Sequence, residues 1–319
     1  MKASNLPPHA KKIERCKKVF HVVIMNGWLL FQASECYAQG YFEAINLSDD
    51  IMPLTIKFQD RKQHFIGNHL RLNVTLPLSL KRDTSQFLML GANVDAIHYG
   101  GTHAGFEVHN LYGFSPIIGY GGNIDKNWNL TALFVPFLNS DYKSIRGKDI
   151  RFGAIIRGSH RLSQQLLVRA TLGYRQQFYG SQYIVLVGFD WELNYRWRAF
   201  GDLPNNATVN YAIDTKTNAG LHLMAGNTSY RLQKLDRYLT YNAAQMGIFT
   251  ERYLSDKWVL RGTVAYAFTR DLQVFNKDDK VKGVIDAIVL GKTPMPLNPP
   301  IDKGLTCKLS LGFRIKTNN

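Results

Sequence analysis

The sequence predicts an all-β protein, an up-and-down antiparallel transmembrane β-barrel of about 12–14 strands. Three observations predict it. Segments of about ten residues alternate between apolar and polar side chains, as a spanning strand with one face on lipid requires. A short turn of constant chemistry recurs between them. The chain opens on what reads as an export signal.

The amino terminus carries the signal. Lys11, Lys12, Arg15, Lys17 and Lys18 form a basic region, residues 19–31 are mostly apolar but too short to span, and Cys36-Tyr37-Ala38 offers a small-x-small cleavage site. Residues 1–38 are therefore expected to be a signal peptide with Gln39 as the mature start, and residues 39–319 the outer-membrane β-barrel domain of a bacterial outer-membrane protein. The rival is a retained membrane-surface helix. A lipoprotein site at Cys36 is disfavoured because Glu35 puts a charge where a small residue belongs.

The bulk composition is neutral on this point. The chain has 319 residues, is 45% hydrophobic and has a mean hydropathy of −0.20. Beyond the amino-terminal segment nothing approaches the roughly 20 apolar residues of a transmembrane helix, whereas a barrel strand needs only about 9–11 residues, half of them apolar. Net charge is +15, and removing the six Lys/Arg and two acids of residues 1–38 leaves +11. The cations are dispersed along alternating segments, which argues against a nucleic-acid partner. Outer-membrane lipid, the phosphates of lipopolysaccharide and a small anionic solute fit better. Cys16 and Cys36 leave with the signal, so Cys307 has no intramolecular partner.

The alternation is clearest at the carboxyl end. Leu305, Cys307, Leu309, Leu311, Phe313 and Ile315 share one parity; Thr306, Lys308, Ser310, Gly312, Arg314 and Lys316 share the other. Leu70 to Leu80 and Leu88 to Ala96 alternate likewise and read as a hairpin. Phe152/Ala154/Ile156, Leu166/Val168/Ala170/Leu172/Tyr174 and Trp258/Leu260/Val264/Tyr266/Phe268 continue the set. Residues 183–191 are apolar on both parities near their start, which leaves their facing open.

Five turns share a pattern: Ile124-Asp125-Lys126-Asn127-Trp128, Leu162 to Leu166, Leu193 to Trp197, Ile213 to Thr217 and Leu254 to Trp258. Each has Asp, Ser or Asn second, whose side-chain oxygen can accept from the backbone two residues on. These are the expected short periplasmic turns, with Trp128, Trp197 and Trp258 as an aromatic girdle. Outward loops are expected near 99–110, 139–149, 228–240 and 270–303, the last because Thr293 to Pro300 is too proline-rich for a strand. Phe178 to Ser181 is expected to reverse tightly.

The segment Phe178-Tyr179-Gly180 through Gly188-Phe189-Asp190-Trp191 to Trp197-Arg198-Ala199-Phe200-Gly201-Asp202-Leu203-Pro204 resembles a family of bacterial outer-membrane β-barrels without assigned function, common in Bacteroidota. Ser229-Tyr230-Arg231-Leu232 and Gly247 to Leu254 are similar to it as well. The resemblance extends over roughly 111–313 and implies fold and location only.

No catalytic constellation emerges, and no enzyme activity, metal or cofactor is expected. His98, His103 and His109 match no metal signature in their spacing. Ser159-His160 would point to opposite faces of a strand, and His222 and Ser229 form no better pair for an acyl hydrolase. Gly119 to Gly122 leads into a turn, not a helix, so it cradles no phosphate. The candidates for lining the lumen are Arg151, Arg157, Arg169, Arg175, Asp190, Glu192 and Arg261, because charges facing lipid cost about 2–4 kcal/mol each. Two arrangements stay open: a salt-bridged, nearly closed interior, or a basic passage for small polar and anionic solutes. The rivals from other classes are a lipid-acting enzyme of acyl hydrolase type and an exported soluble β-sandwich.

Overall fold

The structure, a computed structural model, describes residues 41–58, 61–80, 85–101, 108–233, 235–286 and 288–316. The expected signal peptide lies outside them. The strands are β1 (Tyr41–Phe58), β2 (Arg61–Ser79), β3 (Gln86–Tyr99), β4 (Asn110–Asn123), β5 (Trp128–Ser140), β6 (Ile150–Arg161), β7 (Leu166–Gln177), β8 (Gly180–Glu192), β9 (Trp197–Leu203), β10 (Asn206–Ala212), β11 (Thr217–Leu232), β12 (Arg237–Tyr253), β13 (Trp258–Asn276), β14 (Gly283–Ile285), β15 (Ile288–Leu290) and β16 (Gly304–Lys316). Consecutive strands pair antiparallel from β1 to β13, then β13 with β16 and β16 with β1. This closes a 14-stranded barrel, the all-β up-and-down architecture expected.

The five patterned turns form as their chemistry requires. In each the first residue's N–H donates to the fifth residue's carbonyl, for instance Leu162 to Leu166 at 2.9 Å and Leu254 to Trp258 at 2.8 Å. The second residue's oxygen closes the turn: Asp125 accepts from the Asn127 N–H at 2.7 Å, Asn194 from Arg196 at 2.9 Å and Asp214 from Lys216 at 2.7 Å. Ser163 and Ser255 accept from Gln165 and Lys257. These turns, with the β2–β3 connection, mark one end of the barrel, hereafter the turn end. The longer connections mark the loop end.

One parity of every long strand carries exposed apolar side chains outward, among them Leu47, Leu72, Phe114, Phe134, Ile156, Leu172, Val187, Leu221, Ile248, Leu260 and Leu309. Trp128, Trp197 and Trp258 are exposed at the turn-end margin of this belt. Nearer the loop end, Phe134, Phe152, Tyr174 and Tyr183 form an outward row of rings across β5–β8 with centroids 5.8–6.4 Å apart. An apolar band margined by aromatic rings is what a barrel wall in hydrocarbon presents. A soluble sandwich would instead bury this face.

Two expected loops are partly strand. Residues 228–232 continue β11 and 237–240 begin β12, so the reversal there is confined to 233–236. The polar residues that suggested a loop are accommodated: Arg231 donates to Asp236 at 2.5 Å and to the Arg237 carbonyl. Strand β13 likewise runs on to Asn276. Within 270–303 the apolar run becomes the β14–β15 hairpin.

Strands β9 and β10 have only seven residues each, whereas β8 and β11 on either side continue toward the loop end. Above the short pair the wall would be notched. Two things fill the notch. The end of β5 reaches β11, where Ser140 bridges Arg231 and the Asp141 N–H donates to the Arg231 carbonyl at 3.0 Å. The β14–β15 hairpin joins the free edge of β8 in parallel, through Val284–Gln182 and Ile285–Tyr183. Asp286 clips it in place: its N–H donates to the Tyr183 carbonyl, its carboxylate accepts from the Val185 N–H, and its carbonyl accepts from Asn227 Nδ2 at 3.0 Å.

The barrel therefore has two circumferences. Fourteen strands surround the turn end. At the loop end the ring is closed by β1–β5, β11–β13 and β16, nine strands, with Ile301 bridging Ile56 beyond the start of β16. A ring of about eight strands is only wide enough for its own side chains to fill. The narrow ring is filled accordingly, by Met52, Leu54, Ile56, Phe65, Ile97, Tyr99, Leu111, Tyr230, Leu232, Leu239, Leu272 and Val274, all buried.

Candidate solute site in the lumen

Below this apolar seal, on the side of the turns, the lumen is polar. The switch follows from the sequence of single strands. The inward residues of β1 read Asn46, Ser48 and Asp50 before Met52, Leu54 and Ile56. In β2 they pass from Thr75, Asn73 and Arg71 through His69 to Phe65.

A cavity of about 260 Å³ lies in the polar part, lined by Glu43, Asn46, Asn73, Thr75, His222, Arg261, Thr263, Lys308, Ser310 and Arg314 together with Val259 and Gly312. Its floor is an ion-pair network. Arg314 donates from Nη1 and Nη2 to both oxygens of Glu251 at 2.8 Å and from Nε to Glu43 at 3.0 Å. Arg261 donates to Glu251 at 2.7 Å and lies over the Phe249 ring at 4.3 Å. Both Arg314 and Glu251 are buried, so each charge depends on the other for compensation. Glu43 also accepts from Asn46 at 2.7 Å.

This network reaches across the lumen. The Tyr41 ring sits 3.9 Å from the Arg314 guanidinium and meets the Phe200 ring of β9 edge-on at 6.2 Å. Arg198 of β9 lies 5.5 Å from the same tyrosine. The turn end is thus crossed by cation–aromatic contacts between opposite walls.

Lys308 differs from these cations. It projects into the cavity from β16 within electrostatic reach of Arg71, Arg261 and Glu43. Among the described residues no hydrogen bond or ion pair holds it, whereas the Arg71 charge is answered by Asp50 and those of Arg261 and Arg314 by Glu251 and Glu43. The hydroxyls of Thr75, Thr263 and Ser310 and the amide of Asn73 surround the same space. Chemically, the cavity offers one free ammonium and several neutral hydrogen-bonding groups.

The residues singled out from the sequence fall into four groups. Arg261 joins the cavity. Arg157 and Arg169 stand together on β6 and β7, and the acid between them is Asp202 of β9, not Asp190 or Glu192. Asp202 accepts from Arg169 Nε at 3.2 Å and from Arg157 Nη2 at 3.4 Å. Arg157 also donates to Thr171, and Arg169 to the carbonyls of Phe189 and Gly201. Asp190 instead takes Arg198 in a bidentate pair at 2.7 and 2.5 Å, and Glu192 stands opposite Arg198 in the ladder. Arg151 and Arg175 have aromatic partners, with Phe178 at 4.8 Å and Phe137 at 4.4 Å. Sequence reasoning did not single out Lys308, Arg314, Glu43 or Asp202, and it weighed His222 only as a hydrolase residue. The polar parity of the last strand already contained Lys308 and Arg314.

The histidines do not form the pair an acyl hydrolase needs. On the outward face His64 hydrogen-bonds Thr55 at 2.9 Å and His98 hydrogen-bonds Asn110 at 2.7 Å; in the lumen His222 hydrogen-bonds Thr208 at 2.8 Å. No group of three potential metal ligands is assembled among the described residues.

No family model and no curated protein matches the chain. Among solved structures it is similar to an outer membrane channel from Pseudomonas putida F1 (8% identity, 90% of this chain and 100% of that one, TM-score 0.42). It is also similar to the P. putida toluene transporter TodX (8%, 86% and 90%, 0.41) and to the NanC porin (8%, 85% and 100%, 0.38). Likenesses of this order say nothing of what a barrel carries.

Proposed function

We propose that the protein is an outer-membrane barrel for the passive movement of small polar solutes bearing a negative charge. The observation that supports this is the lumen cavity with Lys308, which no carboxylate pairs directly among the described residues. A half-buried ammonium that no carboxylate pairs directly favours an anion, and the surrounding hydroxyls and amide suit a hydroxylated one. The apolar outer belt with its rings of aromatic side chains supports the membrane location. Contact of the exposed belt and the basic loop end with outer-membrane lipid and lipopolysaccharide belongs to the same reading.

Passage meets two barriers, the apolar seal at the loop end and the Tyr41–Arg314–Arg198 crossing at the turn end. Conduction is accordingly small and depends on the seal parting. Reconstitution in planar bilayers tests this directly. A low conductance with reversal potentials favouring anions is expected, and Lys308→Gln should remove most of that preference. Absence of both current and solute uptake into liposomes, from protein of correct heat-modifiable gel mobility, would reject the channel.

A further inference from the structure

At the loop end the sheet overlaps itself. Because β5 meets β11 there, the tops of β6–β8 pass outside the ring and lay their inner face on the outer face of β11 and β12. Gln182 of β8 donates to Asn227 of β11 at 2.6 Å, and the Phe178 N–H donates to Ser229 at 2.9 Å. Phe178, Tyr179, Tyr238, Phe275 and Val284 pack between the layers. At the mouth of this overlap is a second cleft, of about 410 Å³, separate from the lumen cavity. Its cations are Lys148, Arg151, Arg231, Lys277 and Lys280, and its acids are Asp149 and Asp278.

The way these charges are held is informative. Arg231 and Lys277 are both bound by Asp236 at 2.5 Å. Asp149 is turned to the Arg146 N–H and to Gln233, and the neighbouring Asp279 to Asn276. Three cations make no direct ion pair, although Asp149 is within electrostatic reach of Arg151, and Asp278 and Asp279 are within reach of Lys280. Arg151 lies over the Phe178 ring, and its Nε is buried with no hydrogen-bond partner. Lys280 lies 5.2 Å from the Tyr238 ring centre and donates to the Phe178 carbonyl. Lys148 is exposed at the rim. Aromatic faces and a carbonyl fix a cation's position without neutralising it. Burial, with Arg151 and Arg231 nearby, holds the Lys280 ammonium below the usual lysine range, a strain that an incoming anion relieves.

We propose that this cleft is a binding site for a phosphate group, held between Arg151 and Lys280 with Lys148 at the entrance. A phosphate monoester carries close to two negative charges and offers three acceptor oxygens, matching several converging cations better than a carboxylate does. Such a group can come from a soluble phosphate ester or from the phosphorylated headgroup of an outer-leaflet lipid.

The test uses the full chain. Isothermal titration of the detergent-solubilised protein with glucose 6-phosphate probes the soluble source. Flotation with vesicles containing bis-phosphorylated or dephosphorylated lipid A probes the lipid source. Saturable binding in either arm is expected, weakened at least tenfold in Arg151→Gln/Lys280→Gln and unchanged in Lys126→Gln at the turn end. Lys148→Gln, at an exposed position that cannot disturb folding, should weaken it about threefold, so a misfolded double variant still leaves a readout. Binding in neither arm, equal binding to both lipid A forms with none to the ester, or wild-type affinity in Lys148→Gln and the folded double variant would overturn the assignment.

Discussion

Arg157 and Arg169, from adjacent strands, share one carboxylate, that of Asp202, which lies in the next hairpin along the wall. Two guanidiniums this close repel unless an anion stands between them, and Asp202 is that anion. Asp202→Asn should therefore destabilise the barrel by about 1–3 kcal/mol, the lower part of the range for a broken charged pair because Arg157 is more than a third exposed. A second substitution, Arg157→Gln, should recover part of the loss. Urea-induced unfolding in detergent, followed by tryptophan fluorescence, measures both; additive losses would show that the sharing carries no energy.

The terminal strand has opposite tolerances at neighbouring positions. Leu311 is on the outward parity with Leu309 and pairs with Leu47 and Leu260, whereas Ser310 lines the cavity. Leu311→Arg puts a charge in hydrocarbon at a cost of about 2–4 kcal/mol. Ser310→Arg places one in a polar cavity. Assembly into a heat-modifiable form should fall sharply for the first and much less for the second; equal yields would reverse the facing of β16.

The apolar seal should limit conduction. Tyr99 is fully buried in it and meets Phe65 edge-on at 6.4 Å. Tyr99→Ala removes about 3–5 kcal/mol of packing from the narrow ring while leaving the wall's hydrogen bonds in place. Single-channel current should rise several-fold. An unchanged current from folded protein would show that the seal is not what restricts passage.

The β14–β15 hairpin is placed in the wall by its pairing with β8, and this placement can be locked. Tyr183 and Ile285 are ladder neighbours with exposed side chains, and adjacent strands stand about 4.8 Å apart, within the span of a disulfide. In a Cys307→Ala background, Tyr183→Cys/Ile285→Cys should cross-link under mild oxidation, seen as a shift in gel mobility that reductant reverses. Failure to cross-link would detach the hairpin from the wall.

How legible each part was in the sequence depended on how local its cause was. The five turns were readable because Asp125, Ser163, Asn194, Asp214 and Ser255 act on backbone two residues away. The outward parity of β16 was readable because alternation is a property of one strand. The loop assigned to 228–240 was not readable correctly, since Arg231 and Asn227 look solvated until β8 and the hairpin cover the outer face of β11. Asp202 was passed over for Asp190 and Glu192 for a similar reason. Its partners are 33 and 45 residues away, and the register of β9 on β8, which no local pattern states, brings it to them. In the cavity Arg261 stood out by its strand, while the freedom of Lys308 appears only once every other cation has been matched with its acid.

The hairpin in the wall also bears on how the barrel is built. Its Asp286 is 101 residues beyond the Val185 it binds, and the strand that follows it, β16, is the one that meets β1. A single closing stretch, from Gly283 to Lys316, thus covers the free edge of β8 and closes the barrel between β13 and β1. Until that stretch is laid down, the upper part of β8 and the edges of β13 and β1 stay open. The β8 edge and the β13–β1 seam thus wait on the same stretch, made about a hundred residues after Val185.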